Sequence, residues 1–273
     1  MYMKLIKLRK ELKDLYIQQD KDPADVDFII SELLHVSRTE LNLIENVDDQ
    51  EEQIIREYAL KRLNTDIPID KLFNKAYFYG LNFYIDEFVL SPRQDSEILV
   101  DTAIKYIKEN EYKTCLDMCT GSGCIAIAIK KNTQIDMLAS DISNKALRVA
   151  KKNVKINDVE IEFVKSDMFE KVEGKFDLIV SNPPYIASDD IEYLDKEVRD
   201  YDPLLSLDGG DMGLKFYNEI HNEARRHLND HGMLILEIGY DQKQLIISLF
   251  NDFNLIESVK DLNGIDRVLV FTK

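Results

Sequence analysis

The chain has 273 residues, 45% of them hydrophobic and 32% charged, and a formal net charge of −16. This composition belongs to a folded globular protein with room for one large domain or two ordinary ones. It argues against duplex DNA or RNA as the main partner, because each phosphate contact needs a cation that this surface mostly lacks.

Residues 1–9 carry Lys4, Lys7 and Arg9 between apolar residues, without the apolar run and cleavage site of a signal peptide. No stretch approaches the ~18 apolar residues that span a bilayer. A cytoplasmic protein with no membrane partner is the expectation. Residues 4–63 hold no Gly and one Pro, Pro23. Apolar residues recur at three and four: Leu5, Leu8, Leu12 and Leu15, then Phe28, Ile29, Leu33 and Leu34, with His35 inside this second helix. A third run, Ile54, Ile55, Tyr58, Ala59 and Leu63, stops at Asn64 ahead of Pro68. Residues 1–75 therefore read as a small helical bundle.

Residues 77–90 are aromatic and β-branched, with a polar Asp86-Glu87 interruption, and predict a hairpin that links the domains over about 76–95. From residue 96 to 273 the pattern alternates. A helix over 96–108 precedes strands at 115–118, 137–140, 161–164, 176–181, 233–238, 255–259 and 268–271. The helices between them fall at 124–131, 144–157, 214–229 and 242–251. Strands separated by helices predict a parallel α/β sheet covered on both faces. Cys115, Cys119 and Cys124 lie inside the first strand, loop and helix start with no His nearby, which fits neither a disulfide framework nor a zinc site. The histidines at 221, 227 and 231 do not have metal-site spacing, and no metal is expected.

The first strand runs into Asp117-Met118-Cys119-Thr120-Gly121-Ser122-Gly123-Cys124. Two glycines there allow a tight turn and close approach to a ligand. Asp141, at the end of the next strand, can accept from two ribose hydroxyls. A dinucleotide site usually shows three spaced glycines for its pyrophosphate. Here Asp117 would repel pyrophosphate but accept from an ammonium, which favours S-adenosylmethionine over NAD. Asp167 can accept from an adenine amine while Met168 packs on the ring. Each is weak alone: a glycine turn can lack a ligand, and a lone Met is more often core.

Asn182-Pro183-Pro184-Tyr185 follows the fourth strand and is the most specific signal in the chain. The lone pair of a planar amide or aromatic amine is delocalised, so its nitrogen attacks a sulfonium methyl only when held in line with both N–H groups satisfied. Two donors need two acceptors, which the Asn182 side-chain oxygen and the Pro183 carbonyl supply. Pro184 removes a competing N–H and stiffens the turn, and Tyr185 can stack on the planar group. The bland alternative is a Pro-Pro turn that merely ends a strand.

The tetrapeptide resembles the Asn/Asp-Pro-Pro-Tyr of amino-methyltransferases. Further segments narrow the likeness to the PrmC/HemK family of protein-glutamine methyltransferases, which modify the Gly-Gly-Gln loop of class-I peptide-chain release factors. These are Gly80 to Phe83 with Val89 to Arg93, Glu197 to Pro203, Leu207 to Gly210, Leu236 to Gly239 and Asp261 to Arg267. The resemblance implies a seven-stranded, Rossmann-like class I methyltransferase domain with a helical N-terminal domain that binds the release factor. It places Cys119 to Gly123, Asp141, Met168 and Asn182 on the cofactor and Asn182 to Tyr185 on the glutamine. Two departures are visible. Pro92-Arg93-Gln94-Asp95-Ser96-Glu97 stands where the family reads Pro-Arg-Pro-Glu-Thr-Glu, and Cys119 stands where it usually has Gly.

Methylation of a nucleic-acid amine shares the mechanism, but the chain lacks an appended basic domain: residues 1–75 carry 12 basic and 16 acidic residues. A non-catalytic S-adenosylmethionine-binding protein has no need of two acceptors at the methyl. Arg93, Glu97 and Arg199 are weaker candidates for the substrate cleft, each equally plausible as a surface ion pair. A monomer is expected.

Overall fold

The computed structural model describes residues 3–273; Met1 and Tyr2, which fall in the expected helical domain, lie outside the described residues. The chain forms two compact units that divide in sequence between Asn74 and Lys75.

In the first unit, β1 (Met3–Lys4) leads into α1 (Leu5–Gln18), whose buried Leu5, Leu8, Leu12 and Tyr16 repeat at three and four. This stripe packs on Val26, Ile29 and Ile30 of α2 (Ala24–Leu34). A short strand, β2 (Asn46–Val47), pairs antiparallel with β1, an element not expected from the sequence. Asp48 opens α3 (Asp49–Thr65) with a complete capping box: its side chain takes two backbone N–H groups while Glu51 reaches back to its own N–H. Helix α3 adds Ile55, Ala59 and Leu63 to the core, and α4 (Ile69–Phe73) adds Leu72. The Tyr16 hydroxyl donates to the Ala59 carbonyl at 2.7 Å, which satisfies the one polar atom of a fully buried ring. His35 does not continue α2 as expected. It takes a left-handed conformation at φ 55° and ends the helix.

The second unit begins with β3 (Lys75–Phe78) and β4 (Leu81–Tyr84), paired as a hairpin about Tyr79-Gly80. Both turn residues have positive φ, 52° and 71°, as a two-residue turn matched to strand twist requires. The expected hairpin over 77–90 is therefore displaced toward the N-terminus, because the glycine sets the turn. Asp86 instead bends the chain locally by accepting from the Phe88 N–H at 3.0 Å.

The remaining elements alternate only in part, and run in chain order α5 (Glu97–Asn110), β5 (Thr114–Met118), α6 (Cys124–Asn132), β6 (Asp136–Asp141), α7 (Asn144–Asn157), β7 (Glu162–Lys165), β8 (Phe176–Ser181), α8 (Lys196–Arg199), α9 (Lys215–His227), β9 (Leu228–Glu237), α10 (Lys243–Leu249), β10 (Asn254–Lys260) and β11 (Asp266–Thr272). The sheet order is β10-β11-β9-β8-β5-β6-β7, parallel from β9 to β7 and antiparallel at the β10-β11-β9 edge. Side chains alternate across the sheet. Val180, Ile235, Val268 and Val270 join one apolar cluster; Ile179, Leu234, Leu236 and Leu269 join the other. The helix expected to reach residue 229 ends at His227. Leu228 is already paired with Phe176, so backbone partners across the sheet override the local pattern.

Candidate active site

The order of the parallel strands reverses at β5, which lies between β6 and β8, and the crevice beyond the carboxyl ends there is where α/β proteins hold ligands. A cavity of about 330 Å³ opens at this place. Its lining brings together Met118, Cys119, Gly121, Asp141, Asp167, Met168, Asn182 and Pro184 from four separate strand ends.

The glycine loop is shaped by three left-handed residues, Cys119 at φ 61°, Gly121 at 54° and Gly123 at 80°. A Cβ at Gly123 would stand 3.1 Å from the Ala150 Cβ, so this glycine serves the packing of α6 on α7. At Gly121 a Cβ would meet no protein atom within 4 Å, so the space beside this backbone is open to the cavity. Cys119 adopts the left-handed geometry that suits the glycine usual at this position, and its Sγ lies 3.9 Å from Met168 Sδ. Burial pushes the thiols of Cys119 and Cys124 up, the latter to about 12, so neither is a ready nucleophile.

Asp141 holds the loop in place: Oδ2 accepts from the Gly121 N–H at 2.9 Å and Oδ1 from the Ser143 N–H at 2.8 Å. Burial raises its carboxyl above the ordinary range, against those two hydrogen bonds. Asp117 is fully buried beneath the loop. Its Oδ2 accepts from the Thr120 hydroxyl at 2.5 Å, while Oδ1 has no hydrogen-bond partner. Burial pushes this carboxyl up to about 7. Asp117, Thr120, Ser122, Gly123, Pro183 and Tyr185 stand behind the cavity lining, not in it.

The Asn182–Tyr185 loop is clamped from behind. Gln242 donates from Nε2 to the Tyr185 carbonyl at 2.9 Å and accepts at Oε1 from the Gly239 N–H at 3.0 Å. The 207–213 segment lies alongside, with Ile186 N–H on the Leu207 carbonyl at 3.0 Å and Gly209 N–H on the Ile186 carbonyl at 2.8 Å. A Cβ on Gly209 would stand 2.8 Å from the Pro184 carbonyl oxygen. The segments from Leu207 to Gly210 and from Leu236 to Gly239 thus support the loop. Tyr185 is half-buried against the α9 and α10 cluster, and its hydroxyl is pushed up to about 12 by burial.

The cavity walls were not foreseen from the residue pattern. Phe88 to Leu90 form one, and Pro203, Leu205, Ser206, Lys215 and Phe216 another. Asp202, whose side chain is fully buried, ties the two together: Oδ2 accepts from Arg93 at 2.7 Å and Oδ1 from the Ser91 N–H at 3.3 Å. Arg93 is therefore an ion-pair partner outside the lining. Glu97 instead accepts from the Tyr79 N–H at 2.6 Å, and Arg199 pairs with Asp200 at 2.8 Å. His221 meets Asp252 at 2.7 Å and His227 stacks on Phe169. Among the described residues no group of three or more His, Cys, Asp or Glu is placed to hold a metal, and no helix is long and apolar enough to cross a membrane.

Comparison with known proteins agrees with this geometry. The methyltransferase small domain model matches residues 94–197. The release factor glutamine methyltransferase of Thermodesulfovibrio yellowstonii is 37% identical over 90% of this chain and 90% of its own length. The protein of the same name from Agrobacterium fabrum is 37% identical over 98% and 96%. The chain belongs to the release factor glutamine methyltransferase family. It is an enzyme that uses S-adenosylmethionine, built on the class I methyltransferase fold. A methyltransferase structure from Pyrococcus furiosus shares that fold, with a TM-score of 0.54 over 83% of this chain and 99% of that one at 18% identity.

Proposed function

We propose that the enzyme methylates the side-chain amide nitrogen of the glutamine in the Gly-Gly-Gln loop of a class-I release factor. The observation that carries this reading is that Asn182 and Pro184 line the same cavity as Asp141 and Met168. S-adenosylmethionine supplies an electrophilic methyl on a sulfonium. The residues present fit it: open space lies beside Gly121, and Asp117, buried behind the loop with an unpartnered Oδ1, supplies negative charge for its ammonium. Each Asp141 oxygen takes only one backbone N–H and keeps a lone pair for a ribose hydroxyl. Asp167 and Met168 serve the adenine.

The chain's own contribution is positioning. Asn182 Oδ1 and the Pro183 carbonyl accept the two amide N–H groups, Pro184 presents no competing donor, and the clamp on the Tyr185 carbonyl keeps the loop from yielding. Such fixed acceptors act without reorganisation when the bond forms. Tyr185 serves as the planar backing of this loop. Residues 1–75 form the release-factor-binding part, 76–95 the link and 96–273 the catalytic domain of a cytoplasmic monomer. The net charge of −16 favours a basic protein surface over nucleic acid. Incubation with labelled S-adenosylmethionine and, separately, a release factor, tRNA, rRNA and DNA tests the reading. Label is expected on a glutamine of the factor; label only on nucleic acid overturns it.

The Asp117 carboxyl gives a pH signature. Protonated below about 7, it cannot serve as the anion for an ammonium; ionised above that, it can. Cofactor affinity is expected to fall by up to about tenfold per pH unit below 7, and Asp117→Asn to flatten this dependence. Calorimetric titration from about pH 5.5 to 8 measures both. An unchanged slope in the variant removes Asp117 from the cofactor site.

A further inference from the structure

Asn182 must present an oxygen to the cavity, yet an amide has two nearly isosteric ends. Its Nδ2 donates to the Ser96 hydroxyl at 3.1 Å. Glu237 lies beside Asn182: β8 pairs with β9 at Ser181 and Leu236, so Asn182, just past the end of β8, is next to Glu237, the last residue of β9. The Ser96 and Asn182 side chains face the Glu237 carboxyl and favour its charged form. Ser96 and Glu237 are each only 3% exposed, and Glu237 Oε2 has no partner. Among the described residues lining the cavity, neither Ser96 nor Glu237 is found.

We propose that Ser96 and Glu237 are positioning residues that turn the Asn182 NH2 inward and so keep its oxygen facing the amide to be methylated. An ionised carboxylate only accepts, so it selects the NH2 end; a protonated one donates and can hold the oxygen instead. Ser96 accepts from Asn182, and a carboxylate at Glu237 draws the Ser96 hydroxyl proton to its own side, which completes the selection. The inference rests on the substrate role given to Asn182.

The charged and titratable groups around Glu237 are Asp95 ahead of α5, Arg267 on β11, Tyr185 after β8, Tyr217 on α9 and Cys124 on α6. The tyrosines and the cysteine are all raised and stay neutral at pH 7. Arg267 is paired with Asp95 at 3.1 Å and Asp261 at 3.0 Å. Burial pushes Glu237 up to about 7, against the opposing influence of Ser96, Arg267 and Asn182, so the switch from donor to acceptor falls within the accessible range.

The test is kcat at saturating S-adenosylmethionine, which removes the binding effect of Asp117. Wild-type kcat is expected to fall below about pH 7, and Glu237→Gln to remove that limb. Ser96→Ala is expected to lose about tenfold or more in kcat with cofactor Kd little changed, and Ser96→Thr to recover most of it. A kcat for Ser96→Ala equal to wild type, or a Glu237→Gln profile that overlays the wild-type limb, overturns the proposal. If Glu237→Gln does not fold, the Ser96 pair alone decides. Activity retained by Asn182→Ala would instead sink the substrate role of Asn182, so the two failures are distinguishable.

Discussion

Replacing Asn182 with Ala is expected to lower kcat about 10²- to 10³-fold, the scale seen when one preorganised polar group is removed from a reacting centre. The Kd for S-adenosylmethionine should rise by less than about tenfold, because the roles proposed for Asp117, Asp141 and Met168 toward the cofactor are retained and one neighbour is lost. The reason is geometric. Asn182 is the polar side chain of its loop that reaches the cavity; Pro183 and Tyr185 sit behind the lining, and Pro184 lines it without a polar side chain. Without the Asn182 oxygen one amide N–H is left unsatisfied as the nitrogen loses conjugation. Single-turnover methylation of a release factor beside equilibrium cofactor binding separates the two quantities, and turnover within about threefold of wild type would remove Asn182 from the reaction.

Gly213→Ala is expected to be the most damaging glycine substitution in the chain. A Cβ there would lie 2.0 Å from the Tyr185 carbonyl oxygen and 2.5 Å from Gln242 Nε2, at a backbone φ of 68°. These are the two ends of the hydrogen bond that clamps the Asn182–Tyr185 loop, so relief of the clash must break it. Overpacking of this kind with left-handed strain costs on the order of 3 kcal/mol, or roughly 6–12 °C of melting temperature for a chain of this size. Methylation should fall with it even at temperatures where the variant is folded. Gly264 is the control: it also has positive φ, 81°, but a Cβ there meets nothing within 4 Å. Gly264→Ala should cost about 1 kcal/mol and leave kcat unchanged. Equal effects of the two substitutions on kcat would show that strain alone, not contact with the loop, is responsible.

Much of the architecture was legible because periodicity reports burial. The stripe Leu5, Leu8, Leu12 and the apolar runs at 115–118 and 176–181 each pack as their spacing requires. Errors arose where a distant partner decides the local state. Leu228 follows a helix but is drawn into β9 by Phe176, 52 residues earlier in sequence. The hairpin moved because Gly80, not Asp86-Glu87, supplies the backbone geometry of the turn.

The candidate site divides in the same way. Asp141, Met168 and Asn182 were readable because each stands at or just beyond a strand's carboxyl end, and sequence order fixes which edge that is. Asp117 was readable as an acid in the loop, but its burial and its orphaned oxygen follow only from the layer packed over it. The sequence by itself determined most of the order of strands and helices, the position of the Asn182–Tyr185 loop at a strand end and the negative charge, because these depend on residue type and local spacing. The tertiary structure alone decided that Ser96 and Glu237 flank Asn182, that Asp202 joins the two cavity walls and that Gly213 presses on the Tyr185 carbonyl. Those contacts join residues tens to more than a hundred positions apart, and chain-local physics carries no term that brings them together.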